Sequence, residues 1–107
     1  MYPTPGYAFF NGTADKQIVE QKAYVAGVII LASVAGGDIT LHDGRGNAQG
    51  RKFATLKGDA NISLPIMFDK PVCFENGIYV DVGSNITEYT VLWYPANNPF
   101  ENQVENQ

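Results

Sequence analysis

A single cysteine, Cys73, stands in the 107 residues. No disulfide can form within the chain, so packing alone must hold the fold. Val72 and Phe74 flank Cys73, an apolar setting that suits an inert thiol better than a nucleophile. A chain so poor in cysteine is not built for an oxidising compartment. Charge is also scarce. Charged residues make up 17% of the chain, against about a quarter in ordinary domains. Neutral surface is easier to bury against a neighbour, the first hint of an assembly protein. Basic residues are the rarer sign: seven Lys and Arg face eleven Asp and Glu, for a net charge of −4. Nucleic acid is excluded as a partner, because its binding needs basic patches that displace counterions. Long apolar runs are missing too. The most apolar stretch, Tyr24 to Gly36 (YVAGVIILASVAG), falls short of the roughly 20 residues that span a bilayer, so no membrane partner is expected. The opening MYPTPGYAFF has no basic residue and does not read as a signal peptide.

The length fits one domain. What the chain has in plenty is alternation. In Asn61 to Val82 (NISLPIMFDKPVCFENGIYVDV), Ile62, Leu64, Ile66 and Phe68 alternate with Asn61, Ser63, Pro65 and Met67. After a Phe-Glu-Asn-Gly corner, Ile78, Val80 and Val82 alternate with Tyr79 and Asp81. Period two with one apolar face predicts half-buried strands of an antiparallel sheet. Ala23 to Ala35 is β-branched and apolar on both faces, with Tyr24, Ala26, Val28, Ile30 and Ala32 on one and Val25, Gly27, Ile29 and Leu31 on the other. Such a strand is central and covered twice, or it faces a partner subunit. Gly36-Gly37-Asp38 predicts a hairpin turn into a returning strand at Ile39 to His42. Lys52 to Lys57 is a further strand. Ile86 to Tyr94 is the last, with Tyr89, Val91 and Trp93 on one side and Leu92 and Tyr94 on the other.

Residues 1–17 carry prolines and the aromatics Tyr2, Tyr7, Phe9 and Phe10. They either return to the chain's own sheet or form an arm on a neighbour. Residues 96–107 are rich in Asn and Gln, with Phe100 as a docking residue. The expectation is an all-β protein: an antiparallel β-sandwich, jelly-roll or Ig-like, of about seven to eight strands. It occupies residues 18–95 between an N-terminal arm (1–17) and a C-terminal tail (96–107).

No catalytic constellation emerges, and no enzyme, cofactor or metal is expected. Asp43-Gly-Arg-Gly-Asn47-Ala-Gln49 resembles a calcium loop in its alternating oxygens, but Arg45 replaces a carboxylate and no bidentate Glu follows. Gly44, Gly46 and Gly50 lack P-loop spacing. His42 is the only histidine, and its neighbour Asp43 points to the other face of a strand. Asp69, Glu75, Asp81 and Glu88 are not brought together as an acid–base pair by any pattern. The aromatics Tyr79, Tyr89, Trp93 and Tyr94 read as packing and interface residues before they read as a sugar platform.

From about Gly27 to Tyr94 the chain resembles small virion proteins of tailed bacteriophages. The resemblance rests on VIILASVAGGDITLHDG (28–44), KFATLK (52–57), LPIMF (64–68), FENGIYVDV (74–82) and EYTVLWY (88–94). Asp43-Gly44 and Gly77-Ile-Tyr-Val-Asp81 are its strongest parts, and both are structural. It implies a virion structural protein, foremost a capsid decoration (cement) protein made in the host cytoplasm and bound to the capsid exterior. Its expected partners are the major capsid protein and itself, as a homotrimer. The alternative it leaves is a tail or fibre adhesin module that recognises the host surface. The contact residues expected are Tyr2, Tyr7, Phe9, Phe10, Tyr79, Asp81, Trp93, Tyr94 and Phe100.

Overall fold

The alternating segments become eight strands, and the described residues hold no helix. The computed structural model describes residues 8–45 and 50–96. Its strands are β1 (Ala8–Gly12), β2 (Lys16–Val19), β3 (Ala23–Ala32), β4 (Asp38–Asp43), β5 (Arg51–Lys57), β6 (Ser63–Phe74), β7 (Ile78–Val82) and β8 (Ile86–Pro95). They form two four-stranded sheets. The front sheet has the order β1-β8-β3-β6 and the back sheet β2-β7-β4-β5. Every pairing is antiparallel: β1 with β8, β2 with β7, β3 with β6 and β4 with β5. These are the rungs of one long hairpin, bent at the β4–β5 loop and rolled up. The β3–β8 and β4–β7 pairings then join the rungs into sheets. That winding is a jelly roll, one of the two sandwiches expected.

The winding corrects one local reading. Gly36-Gly37-Asp38 does not make a hairpin, because β3 lies in the front sheet and β4 in the back. The link crosses the sandwich, held by Ser33 N–H to the Asn85 carbonyl (2.9 Å) and Gly36 N–H to the Gly58 carbonyl (3.0 Å). Turn residues reverse the chain equally well within a sheet or between sheets. Here both strands must turn an apolar face to the same core, and that selects the crossing. The link from β6 to β7 crosses for the same reason. The N-terminal stretch is also redistributed. Residues 8–12 and 16–19, read within or beside an arm, are edge strands of the two sheets. Tyr2, Tyr7 and Phe100 lie outside the described residues.

The faces of β3 depend on a bulge. Val25 pairs with Trp93, and Gly27 with Leu92, so Ala26 is an extra residue. Opposite it, β6 runs from Met67 to Val72 before pairing resumes. Asp69-Lys70-Pro71 is therefore an irregularity inside one continuous strand. An extra residue swaps the faces beyond it. Ala23 and Val25 point inward, then Val28, Ile30 and Ala32, all fully buried. A single alternation along β3 does not hold.

The core is Val25, Val28, Ile30, Ile39, Leu41, Phe74, Ile78, Val80, Tyr89 and Val91 with Ala23. Each large apolar side chain buried contributes about 1.5–3 kcal/mol. Tyr89 is the one polar tip among them. Its hydroxyl donates to the Ala14 carbonyl at 2.7 Å, and its ring lies 6.1 Å from that of Phe10. Burial, with Asp15 and Tyr79 adding to it, pushes the phenol up to about 12. In the unfolded chain the same proton leaves near pH 10. Between pH 10 and 12 the unfolded state alone ionises, so stability falls as pH rises, by about 2 kcal/mol at pH 12. Tyr89→Phe loses one hydrogen bond, worth about 1 kcal/mol, but is spared the alkaline loss. The variant is expected to be less stable than wild type at pH 8 and more stable near pH 12. Urea midpoints across that range check the crossover, and parallel curves would show that the phenol titrates normally.

Candidate interaction surface

The two sheets turn unlike faces outward. On the front sheet, register sets the outward side chains in rows. One row runs Phe9, Leu92, Gly27 and Met67 from β1 to β6. The next runs Asn11, Thr90, Ile29 and Pro65, and a third holds Glu88, Leu31 and Ser63. Beyond the bulge, Tyr94, Tyr24 and Cys73 share a row, with the two tyrosine rings stacked 5.2 Å apart. Phe9 is 70% exposed and Met67 55%. The thioether of Met67 lies across the backbone of Gly27, in the space a side chain there would take. Leu92, Ile29, Leu31, Tyr24 and Tyr94 are half-buried. β3 is thus central and apolar on both sides, and among the described residues only its inner side is covered. Cys73, expected in an apolar setting, is half-exposed on this face. Burial, then a hydrogen bond to Glu75 (Sγ to Oε2, 3.5 Å) and its charge, hold the thiol above its ordinary value and therefore protonated.

The back sheet is polar outside. Thr40 and Thr55 share a hydrogen bond of 3.0 Å. His42 Nδ1 lies 3.1 Å from the Gly50 carbonyl, which can only accept, so Nδ1 carries the hydrogen. Its Nε2 lies 3.7 Å from Asp81 Oδ2. Tyr79 sets its ring edgewise to His42 at 6.4 Å and is only 9% exposed. Burial, with Asp15 and Asp81 adding to it, raises its phenol. Both residues point away from the core, as the alternation of β7 requires, but Tyr79 has little area left for a partner. Asp81 faces His42 on its own sheet. Of the other expected contacts, Phe10 and Trp93 turn inward and pack against the core, while Phe9 and Tyr94 stand on the front face.

The acids are used locally. Asp43, almost fully buried, accepts Glu75 N–H (3.1 Å) and Asn76 N–H (2.8 Å). Asp38 accepts Ser84 N–H (3.3 Å) and Asp15 accepts Val82 N–H (2.7 Å). All three carboxylates thereby fasten the two ends of β7. The pair Arg51–Asp43 (3.7 Å) adds little, since Arg51 is exposed. An open cleft of about 770 Å³ lies beside this corner, lined by Asp43, Arg45, Arg51, Glu75 and Asn76. Its one buried carboxylate is already engaged by backbone. Among the described residues no group of three or more His, Cys, Asp or Glu is placed to hold a metal ion.

Asp43-Gly44 and Gly77–Asp81, separate in sequence, form one structural unit. Besides the Asp43 bonds, Gly44 N–H donates to the Gly77 carbonyl (3.2 Å), and β4 pairs with β7 from Asp43–Ile78 to Thr40–Asp81. The chain matches no protein-family model, no curated protein and no solved structure.

The residues that sequence reasoning passed over are Ile29, Leu31, Pro65, Met67 and Leu92. Their signal was present. The apolar second face of β3 and the off-core set Pro65 and Met67 of β6 belong to one surface once β3 and β6 are neighbours.

Proposed function

We propose that the protein is a virion structural protein, a capsid decoration protein that binds the outer shell of a bacteriophage capsid and stabilises it. The observation that carries this reading is the apolar front face. A freely diffusing monomer of this size rarely leaves the exposed side of a central strand so poor in charge. Two further points support it. The strongest parts of the resemblance to small phage virion proteins, Asp43-Gly44 and Gly77–Asp81, come together in one corner of the fold. The jelly roll is also a winding used by viral capsid domains, although lectins and cupins share it, so this point is analogy only. The described chain begins at Ala8, opposite Trp93, and ends at Ala96, whose N–H donates to the Lys22 carbonyl. Both ends of the described chain thus lie at one end of the front sheet. The partners proposed are the major capsid protein and further copies of this chain. Many weak attachments repeated over a shell give high avidity.

Co-sedimentation of the purified protein with expanded capsids tests the reading. Saturable binding and a higher capsid melting temperature are expected. No binding, together with immunogold label on the tail, would replace it with the adhesin module.

A further inference from the structure

We infer that the outer face of the front sheet is a self-association surface, on which two copies of this chain pack front sheet against front sheet about a two-fold axis. The inference rests on the reading of that face as an assembly surface and names its occupant.

Charge selects the second copy. The chain carries −4, so two copies repel wherever they show their acids. On the back sheet the outward residues include Asp81, and Asp15 stands at the end of β7. On the front sheet the outward members of the described pairs are Phe9, Asn11, Tyr24, Gly27, Ile29, Leu31 and their partners on β6 and β8. Only Glu88 among these pairs is charged; Asp69 and Lys70, of opposite sign, are exposed at the irregularity of the edge strand β6, and Glu75 lies beside Cys73 beyond the bulge. Two copies can approach over the centre of the face without opposing like charges. A strongly basic or acidic partner would find almost nothing to pair with.

Area allows it. The face is four strands wide. At about 4.8 Å per strand and roughly six residues of about 3.4 Å each, it offers roughly 400 Å² in plan. Side-chain relief, with Phe9 and Met67 standing proud at opposite edges, raises the accessible area. Two copies then cover about 1,000 Å² in total, the lower bound for a specific contact. Sheets stacked face to face at about 10 Å and about −30° are an ordinary sandwich geometry. Such a contact is isologous and closes at two. The trimer implied by the phage resemblance needs a head-to-tail contact instead.

Sedimentation of the full chain over a wide range of concentration reads the result. A two-chain species is expected. Leu92→Lys should weaken it about a hundredfold, because the symmetry places the new charge twice and each tenfold is about 1.4 kcal/mol. Ile29→Lys, at the centre of the face, should act likewise, and Thr55→Lys on the back sheet should not. Circular dichroism and urea midpoints show which variants are folded, and Leu92→Lys, nearer the β1 edge, carries the test if Ile29→Lys is not. A single-chain species throughout, a trimer, or a dimer indifferent to both front-face lysines overturns the inference. Capsid co-sedimentation separates the two readings. A monomer that binds capsids through Leu92 keeps the decoration reading and removes the second copy. A dimer that ignores capsids does the reverse.

Discussion

Phe74→Ala is expected to destabilise the protein by about 4 kcal/mol, within the 3–5 kcal/mol range for a truncated buried phenylalanine. Phe74 is 1% exposed, at the end of the longest strand, where β6 returns to pair with β3 after its irregularity. Its ring meets Phe53 at 5.5 Å and 60°, and Phe53 in turn meets Phe68 at 5.5 Å and 82°. These three rings close the side of the sandwich where the edge strands β5 and β6 belong to different sheets. The cavity cannot collapse easily. The backbone beside it is fixed by the Asp43 bonds to Glu75 and Asn76. A loss near 4 kcal/mol is a large part of the roughly 5–15 kcal/mol a domain commands, and should lower the melting temperature by roughly 15–25 °C. Phe53→Ala, already 38% exposed, should cost about half as much. Urea unfolding measures both. A loss below about 1.5 kcal/mol for Phe74→Ala would mean that the three rings do not seal that side.

What the sequence made legible is what period two encodes. Leu64, Ile66 and Phe68, then Ile78, Val80 and Val82, then Tyr89, Val91 and Trp93 face the core as the alternation requires, but Ile62, expected with the first set, precedes β6 and is 58% exposed. The all-β class and the sandwich follow from those sets and the turns between them. Winding was not legible, because Gly36-Gly37-Asp38 and Phe-Glu-Asn-Gly have the same local chemistry whether they join neighbours or cross between sheets. The bulge at Ala26 was not legible either. It is imposed by the pairing of β3 with β8 and β6, across more than forty residues of chain. For the surface, the two-sided apolar pattern of β3 was readable and pointed to a partner face. The aromatic candidates divide, since an aromatic in a small sandwich serves the core as readily as a surface. Phe10 and Trp93 pack against the core, and Phe9 and Tyr94 stand on the front face.

Gly77→Ala is expected to cost about 3 kcal/mol or more, although it adds a single methyl group. Gly77 has φ +137°, a conformation that side chains rarely adopt, and a Cβ there would lie 2.5 Å from the Val19 carbonyl oxygen and 3.0 Å from that of Gly44. Both obstacles are backbone, and neither is free to move. Gln17 Nε2 donates to the Val19 (2.8 Å), Gly44 (2.9 Å) and Ile78 (3.2 Å) carbonyls, tying β2, the end of β4 and the start of β7 around that glycine. Strain of about 1–3 kcal/mol in the backbone adds to about 1–3 kcal/mol for forcing atoms into a filled site. Gly36→Ala is the control that separates the two. Its φ is +86°, but a Cβ would meet nothing within 4 Å, so it should show the backbone cost alone, about 1–2 kcal/mol. Gln17→Ala should loosen the same corner from the other side by about 1–3 kcal/mol, as three carbonyls lose a shared donor. Combined with Gly77→Ala it should cost less than the sum, since the first change frees what the second pushes against. Equal losses for Gly77→Ala and Gly36→Ala would show that crowding contributes nothing. Strict additivity with Gln17→Ala would show that the three carbonyls are not held as one unit. Either outcome would deprive the Gly77–Asp81 segment of the scaffold role assigned to it.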